Sequence, residues 1–299
     1  MTNQLLDSCT ELDQPRTAPD ITDWRKMSST DKNEQVLRGL KGLWAQRHLI
    51  AIMVNRDFMG RYKGSLLGAL WPVLNPMGHM VLYTFLFSII LQIRFGNDPS
   101  TSNFAIYLMT ALLPFTAFSE ALSRSSTVVL ESPNLVNRVV FPLEILPVVL
   151  TISSLLSSAV SFGIVCAAVL MYFGHLPATI LFIPLILFSQ IILTAGLTWI
   201  LASIGVFVRD LSHFISLALS AWMYATPIVY PAAKIPVNFK FLLWANPLAG
   251  IVTDYRHVIL EGVPPDWSSY ACYTTVAFTL FFVGFSFFYK TKKSFADVM

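Results

Sequence analysis

Residues 56–76 read R-D-F-M-G-R-Y-K-G-S-L-L-G-A-L-W-P-V-L-N-P, and this stretch decides the fold class. Four ionised side chains, Arg56, Asp57, Arg61 and Lys63, fall within eight residues, and no further Asp, Glu, Lys or Arg occurs until Arg94. A segment that loses its charges so abruptly passes from water into hydrocarbon. Gly60, Gly64 and Gly68 recur every four residues, Trp71 is a ring that favours the membrane interface, and Pro72 removes a backbone donor in the first turns of the span. Together they set the depth and angle at which the chain crosses the interface.

Upstream of this stretch, residues 34–64 carry Leu37, Leu40, Trp44, Ala51, Val54 and Phe58 at steps of three, four or seven, with Arg38, Lys41, Arg47 and Arg56 mostly between them. The pattern predicts an amphipathic helix with a basic face, suited to lying in the plane of an anionic leaflet. Residues 1–33 are rich in Asp, Thr, Ser and Pro and read as a disordered tail.

Of the 299 residues 55% are apolar and 12% charged, where soluble domains carry about a quarter. The chain is an integral membrane protein. A formal charge of +3 is too small to suggest nucleic acid as a partner. Cys9, Cys166 and Cys272 are too scattered for a disulfide framework or a metal cluster, and no cleavable signal peptide is visible.

Downstream, residues 65–299 form a six-span all-α domain, with spans at about 68–93, 103–129, 145–173, 178–207, 211–230 and 270–289. Between the second and third spans lies the island E-S-P-N-L-V-N-R-V-V-F-P-L-E, in which Ser132 can cap and Pro133 can open a helix of about two turns over 133–140. Between the fifth and sixth, residues 238–261 contain two apolar pieces, divided by the helix-starting pair Asn246 and Pro247. Each is too short to cross hydrocarbon, and together they predict a re-entrant helix pair. The basic residues of the amino-terminal segment, the Arg138 island, the Arg209 turn and the lysine-rich tail fall on one side. By the positive-inside rule both termini are cytoplasmic and the re-entrant pair faces outward.

No phosphate loop, H-E-x-x-H helix, nucleophile elbow or dinucleotide fingerprint occurs. Glu120 and Arg124, one turn apart on the second span, are expected to neutralise each other. Tyr83 and Phe87 on the first span, with Trp222, Tyr224 and Tyr230 on the fifth, fall in the outer halves of their spans. There their rings would suit stacking on sugar in a wet channel.

The crossing motif, the F-P-L-E-I-L-P of residues 141–147, the G-V-F-V-R-D-L of 205–211, the T-P-I-V-Y of 226–230 and the N-P-L of 246–248 occur in an order that resembles the permease subunits of type-2 ABC exporters. Most similar is the Wzm-like branch that exports polysaccharides such as O antigen, together with capsule and teichoic acid permeases. The resemblance covers Glu34 to the end. It implies a homodimer in the inner membrane, bound to two copies of a nucleotide-binding ATPase subunit that carries the ATP and Mg, with no cofactor or metal on this chain. It implies an undecaprenyl-linked polysaccharide as substrate and lipopolysaccharide biosynthesis as the setting.

By the same resemblance Trp44, Arg56, Asp57, Arg61 and Tyr62 belong to the interface helix and crossing motif. Pro133, Asn134, Arg138, Phe141, Pro142 and Glu144 couple to the ATPase, and Trp244, Asn246 and Pro247 form the outer gate. The competing reading is a membrane enzyme acting on a lipid-linked sugar, for which only Asp254 and His257 offer suitable groups. A secondary carrier should show repeated halves with matching broken helices, and the break near Asn246 has no counterpart in the first half.

Overall fold

A computed structural model describes residues 42–61, 63–90, 102–133, 135, 141–230, 235–239 and 241–298. The expected tail 1–33, the first part of the interface helix, Tyr62, Asn134 and Arg138 lie outside the described residues, and so does most of the expected coupling helix. The side chains of Phe87 and Trp244 are likewise outside them. The described residues form helices and turns, with no strand among them.

Helix α1 spans Arg47–Gly60 and buries Met53 and Val54. It packs along α4, Ile145–Phe173. Between them come α2, Trp71–Tyr83, and α3, Ser102–Ser125. Pro72 sits in the first turn of α2, where its missing N–H costs nothing, and Pro76 follows one turn later with both rings buried. From Thr84 to Ile90 the helix widens into π geometry. The described part of the expected first span ends there.

Helix α4 is stopped by Gly174 in the left-handed region, φ 77°, whose N–H returns to the Leu170 carbonyl. A 3₁₀ turn, Ala178–Phe182, leads into α5, Ile183–Phe207, followed by α6, Leu211–Ala225. The expected fifth span was longer. Pro227 disfavours helix at Thr226, which turns extended at φ −95°, ψ 138° and ends α6 early. Then come α7, Phe241–Ala245, and α8, Pro247–Arg256, with a π turn over His257–Glu261. Finally α9, Trp267–Thr291, and α10, Phe295–Val298, close the chain.

Four stretches among the described residues are long and apolar enough to cross a membrane: Phe104–Ser125, Ile145–Phe173, Ala178–Phe207 and Trp267–Ser294. The chain is therefore an all-helical, multi-pass membrane protein. Helix α3 is its axis: 72% of its apolar window is buried against 17% for α4, so α3 lies inside the bundle and α4 on its rim. Helices α5 and α9 approach closely through Gly196 and Gly284. A Cβ at Gly196 would meet the Leu280 carbonyl carbon at 2.6 Å, and one at Gly284 would collide with the Gly196 carbonyl. Small residues at a crossing are how membrane helices gain contact when no hydrophobic force drives them together.

Candidate functional site

The crossing motif ends in a knot of charge. Asp57 on α1 precedes Arg61, the C-cap of that helix, by one turn; on α3, Glu120 precedes Arg124 by one turn. The pairing crosses: Arg124 donates to both Asp57 oxygens at 2.5 and 3.0 Å, and Arg61 pairs with Glu120. Two helices facing each other in opposite directions set acid against base at both levels. The expectation that Glu120 and Arg124 neutralise each other is thus corrected, because each has a partner on α1 that lies directly across from it.

Arg61 also donates to Asp57 at 2.8 Å, to Ser153 at 2.8 Å and to Ser157 at 3.1 Å, and the Ser153 hydroxyl donates to Asp57 at 2.5 Å. The two serines come from α4, so the knot ties three helices. Burial by itself would raise the Asp57 carboxyl, but the hydrogen bonds from Arg124, Ser153 and Arg61 outweigh it and hold the group well below the ordinary carboxylate range. Arg56, by contrast, is exposed. Trp44 is 75% exposed, with the Arg47 guanidinium 5.9 Å from its ring centre.

Beside the knot a cavity of about 420 Å³ opens between α2, α3 and α4. Arg61 and Glu120 line it, and so does Tyr83, an expected channel residue. The other expected channel residues lie elsewhere. Trp222 packs edge-on against Phe118 of α3, with ring centres 5.2 Å apart, and its Nε1–H donates to Asn246 at 2.9 Å. Tyr224 is 67% exposed, and its carbonyl accepts from the Tyr230 hydroxyl at 2.6 Å.

Asn246 joins the expected gate to the expected channel. Its side-chain oxygen caps α8 by accepting from the Leu248 N–H at 3.1 Å, and its amide donates to Thr226 at 2.9 Å. Pro247 occupies the first turn of α8. At the far end of α8, Arg256 is buried and donates to the carbonyls of Pro227 and Ile228, with the Tyr107 ring 3.6 Å away. Asp254, also buried, accepts from the Tyr273 hydroxyl at 2.8 Å and from the Asp266 N–H at 3.4 Å. Asp254 and His257 share the wall of a second cavity of about 280 Å³.

Of the expected coupling residues, Pro133 is exposed and Phe141 and Pro142 are half-buried. Glu144 is buried at the N-cap of α4, held by Lys292 at 3.1 Å, while its carbonyl accepts from Trp199 at 3.0 Å. The segment that follows 133–140 is thereby fastened to the carboxy-terminal end of the chain. Sequence reasoning missed Ser153, Ser157, Tyr273 and Lys292 as partners, since each meets its charged or carboxylate partner only through tertiary packing. The serine spacing on α4 was the one signal that could have marked a polar face.

A family model described as "ABC-2 type transporter" matches residues 48–260. The chain is 30% identical over 265 residues to the "O-antigen export system permease protein RfbA" of Myxococcus xanthus, covering 88% of this chain and 99% of that protein. It is 29% identical to a protein of the same description from Klebsiella pneumoniae, covering 84% of this chain and 95% of that protein. To the "Polysialic acid transport protein KpsM" of Escherichia coli it is 24% identical, over 84% of this chain and 96% of the relative.

Proposed function

The chain belongs to the ABC-2 type transporter family, and from that premise we propose that it is the membrane permease of an ATP-driven exporter moving lipid-linked polysaccharide, O antigen first, across the inner membrane. The observation that carries this reading is the near full-length similarity to O-antigen export permeases. The weaker similarity to a polysialic acid transport protein supports capsule export as the second reading.

In this proposal the active unit is a homodimer with two ATPase subunits, which supply the nucleotide and Mg. Each chain crosses six times, with α2 and α6 completing the count, and both termini are cytoplasmic. Phe141, Pro142 and Glu144, with the segment before them, pass the motion of the ATPase into α4. The Glu144–Lys292 pair supports this role, since it makes the segment rigid with the bundle.

A re-entrant pair is supported by the course of α8. Its cap reaches Trp222, which packs on Phe118, and its end reaches Tyr107, which lies about three turns earlier on α3. Helix α8 thus runs alongside about three turns of α3, as one limb of a re-entrant pair would. Both oxygens of Asp254 are engaged by Tyr273 and Asp266, which suits a gate-fixing role better than acid catalysis.

The test is purification of the tagged chain from native membranes, followed by an ATPase assay of what accompanies it and by glycan export in cells deleted for the gene. Equal amounts of an ATPase subunit, with export lost on deletion and restored by the gene, are expected. A chain that purifies alone and is dispensable for surface glycan would overturn the reading.

A further inference from the structure

The cavity between α2, α3 and α4 has a wall chemistry that the channel aromatics do not explain. Its α4 side carries Ser154, Ser157, Ser158 and Ser161, and its α2 side carries Asn75 and His79. The Ser154 hydroxyl donates to the Thr151 carbonyl at 2.9 Å, and Ser158 donates to Leu113 at 3.1 Å. Each hydroxyl hydrogen is spent on backbone, and what these two serines keep is oxygen lone pairs. Across the cavity the His79 Nδ1 lies 2.9 Å from the Asn75 carbonyl, which can only accept. In the neutral ring Nε2 is then left as an acceptor. Ser154, Ser158 and His79 therefore offer acceptors, and the Asn75 side-chain amide offers an acceptor and donors, a set that suits a ligand rich in hydroxyl groups.

The floor decides its charge. Of the charged side chains only Arg61 and Glu120 line the cavity, and they pair with each other while Asp57 and Arg124 pair beyond its wall, so no net charge faces the ligand. A phosphate would find no uncompensated guanidinium. Next to His79, at a ring separation of 5.7 Å, Tyr83 supplies an aromatic surface of the kind that packs on the C–H face of a sugar. The volume, about 420 Å³, lies within the usual range for small-ligand sites, about 300–1,000 Å³.

We propose that this cavity binds a neutral, hydroxyl-rich sugar unit, with Ser154, Ser158 and His79 as acceptors and Tyr83 as the stacking face. The proposal rests on the exporter reading for its biological ligand and adds a binding site to it. The site lies within one protomer, walled by three of its own helices. It discriminates by charge: neutral units are retained, whereas uronate-rich or phosphorylated units gain nothing from a floor without net charge.

The test uses the full-length chain in lipid nanodiscs and saturation-transfer NMR with maltotriose as probe, with trigalacturonate and inorganic pyrophosphate as competitors. Saturation of the maltotriose protons is expected, undiminished by either competitor. His79→Ala and Ser158→Ala should each weaken the apparent affinity about two- to ten-fold, the loss of one hydrogen bond. Met77→Ala, on the same helix and exposed, should leave it unchanged. No transfer from maltotriose, equal affinity in all variants, or displacement by pyrophosphate would overturn the proposal.

Export in deleted cells separates the two readings. If the wild-type gene restores surface glycan while the NMR result is negative, the cavity assignment falls alone. If it does not restore glycan, the exporter reading falls, and the NMR result still decides what the cavity binds.

Discussion

Two charged regions of the bundle solve the same problem by opposite means. The knot around Asp57 sets full charges against each other across three helices, near enough to water that Glu120 and Arg124 keep about a third of their side-chain surface. On α8, Asp254 and Arg256 are each buried, yet they do not meet: the carboxylate is satisfied by a phenol and an N–H, the guanidinium by the carbonyls of Tyr107, Pro227 and Ile228 and by the Tyr107 ring. Where water reaches, opposite charges can exchange partners at small cost. Deep inside, each charge is fixed by neutral dipoles, and a partner lost there is not replaced.

The largest effect is therefore expected on α8. Arg256→Leu strands the Pro227 and Ile228 carbonyls and should cost about 2–4 kcal/mol, read as unfolding in detergent titrations. An effect below that of any knot variant would reverse the comparison. Next comes Asp57→Asn, which leaves Arg61 and Arg124 competing for Glu120. With Asp57 a fifth exposed, a loss of about 1–2 kcal/mol is expected, and the exchange Asp57→Arg with Arg124→Asp should recover part of it. Without such recovery, pairing is not what the knot contributes.

The pH dependence sharpens the same point. The Asp57 carboxyl is lowered in the folded chain, so its stabilisation is complete above its ordinary value of about 3.9 and declines only as pH falls below that. Thermal unfolding between pH 7 and 5 should show no component that Asp57→Asn removes. Asn246→Ala deletes the α8 cap together with the Trp222 and Thr226 contacts, and should cost about 1 kcal/mol. Trp222 fluorescence would report it. Last is Lys292→Met, which leaves the buried Glu144 carboxylate without its cation and should cost about 1 kcal/mol in stability. Its effect should appear mainly as ATP hydrolysis that no longer tracks export, and unchanged coupling would remove Lys292 from the path.

How much of this was legible in the sequence follows from the range of each interaction. The crossing motif, the all-helical class, the Asn246–Pro247 start of α8 and the apolar stretches depend on residues within a few turns of one another, and all could be read directly. The knot could not. Asp57 finds Arg124 and Ser153 at separations of 67 and 96 residues, and a helical spacing of four makes Glu120–Arg124 look self-sufficient when the partners lie on another helix. The fifth span was overextended because apolarity continues to Tyr230, while the backbone obeys Pro227. The Trp222 contact with Asn246 could not be read either, because an indole N–H facing inward looks, in sequence, like any interfacial aromatic.

The Gly196–Gly284 crossing has a mechanical consequence. Backbone meets backbone at this one point and Trp199 packs edge-on against Phe281 and Phe285 beside it, so α5 and α9 should move as a single stiff column. A transport cycle built on this chain must leave that column standing and turn the lighter elements around it, α2 and α6 above all, whose exposed faces are not locked to the core in the same way.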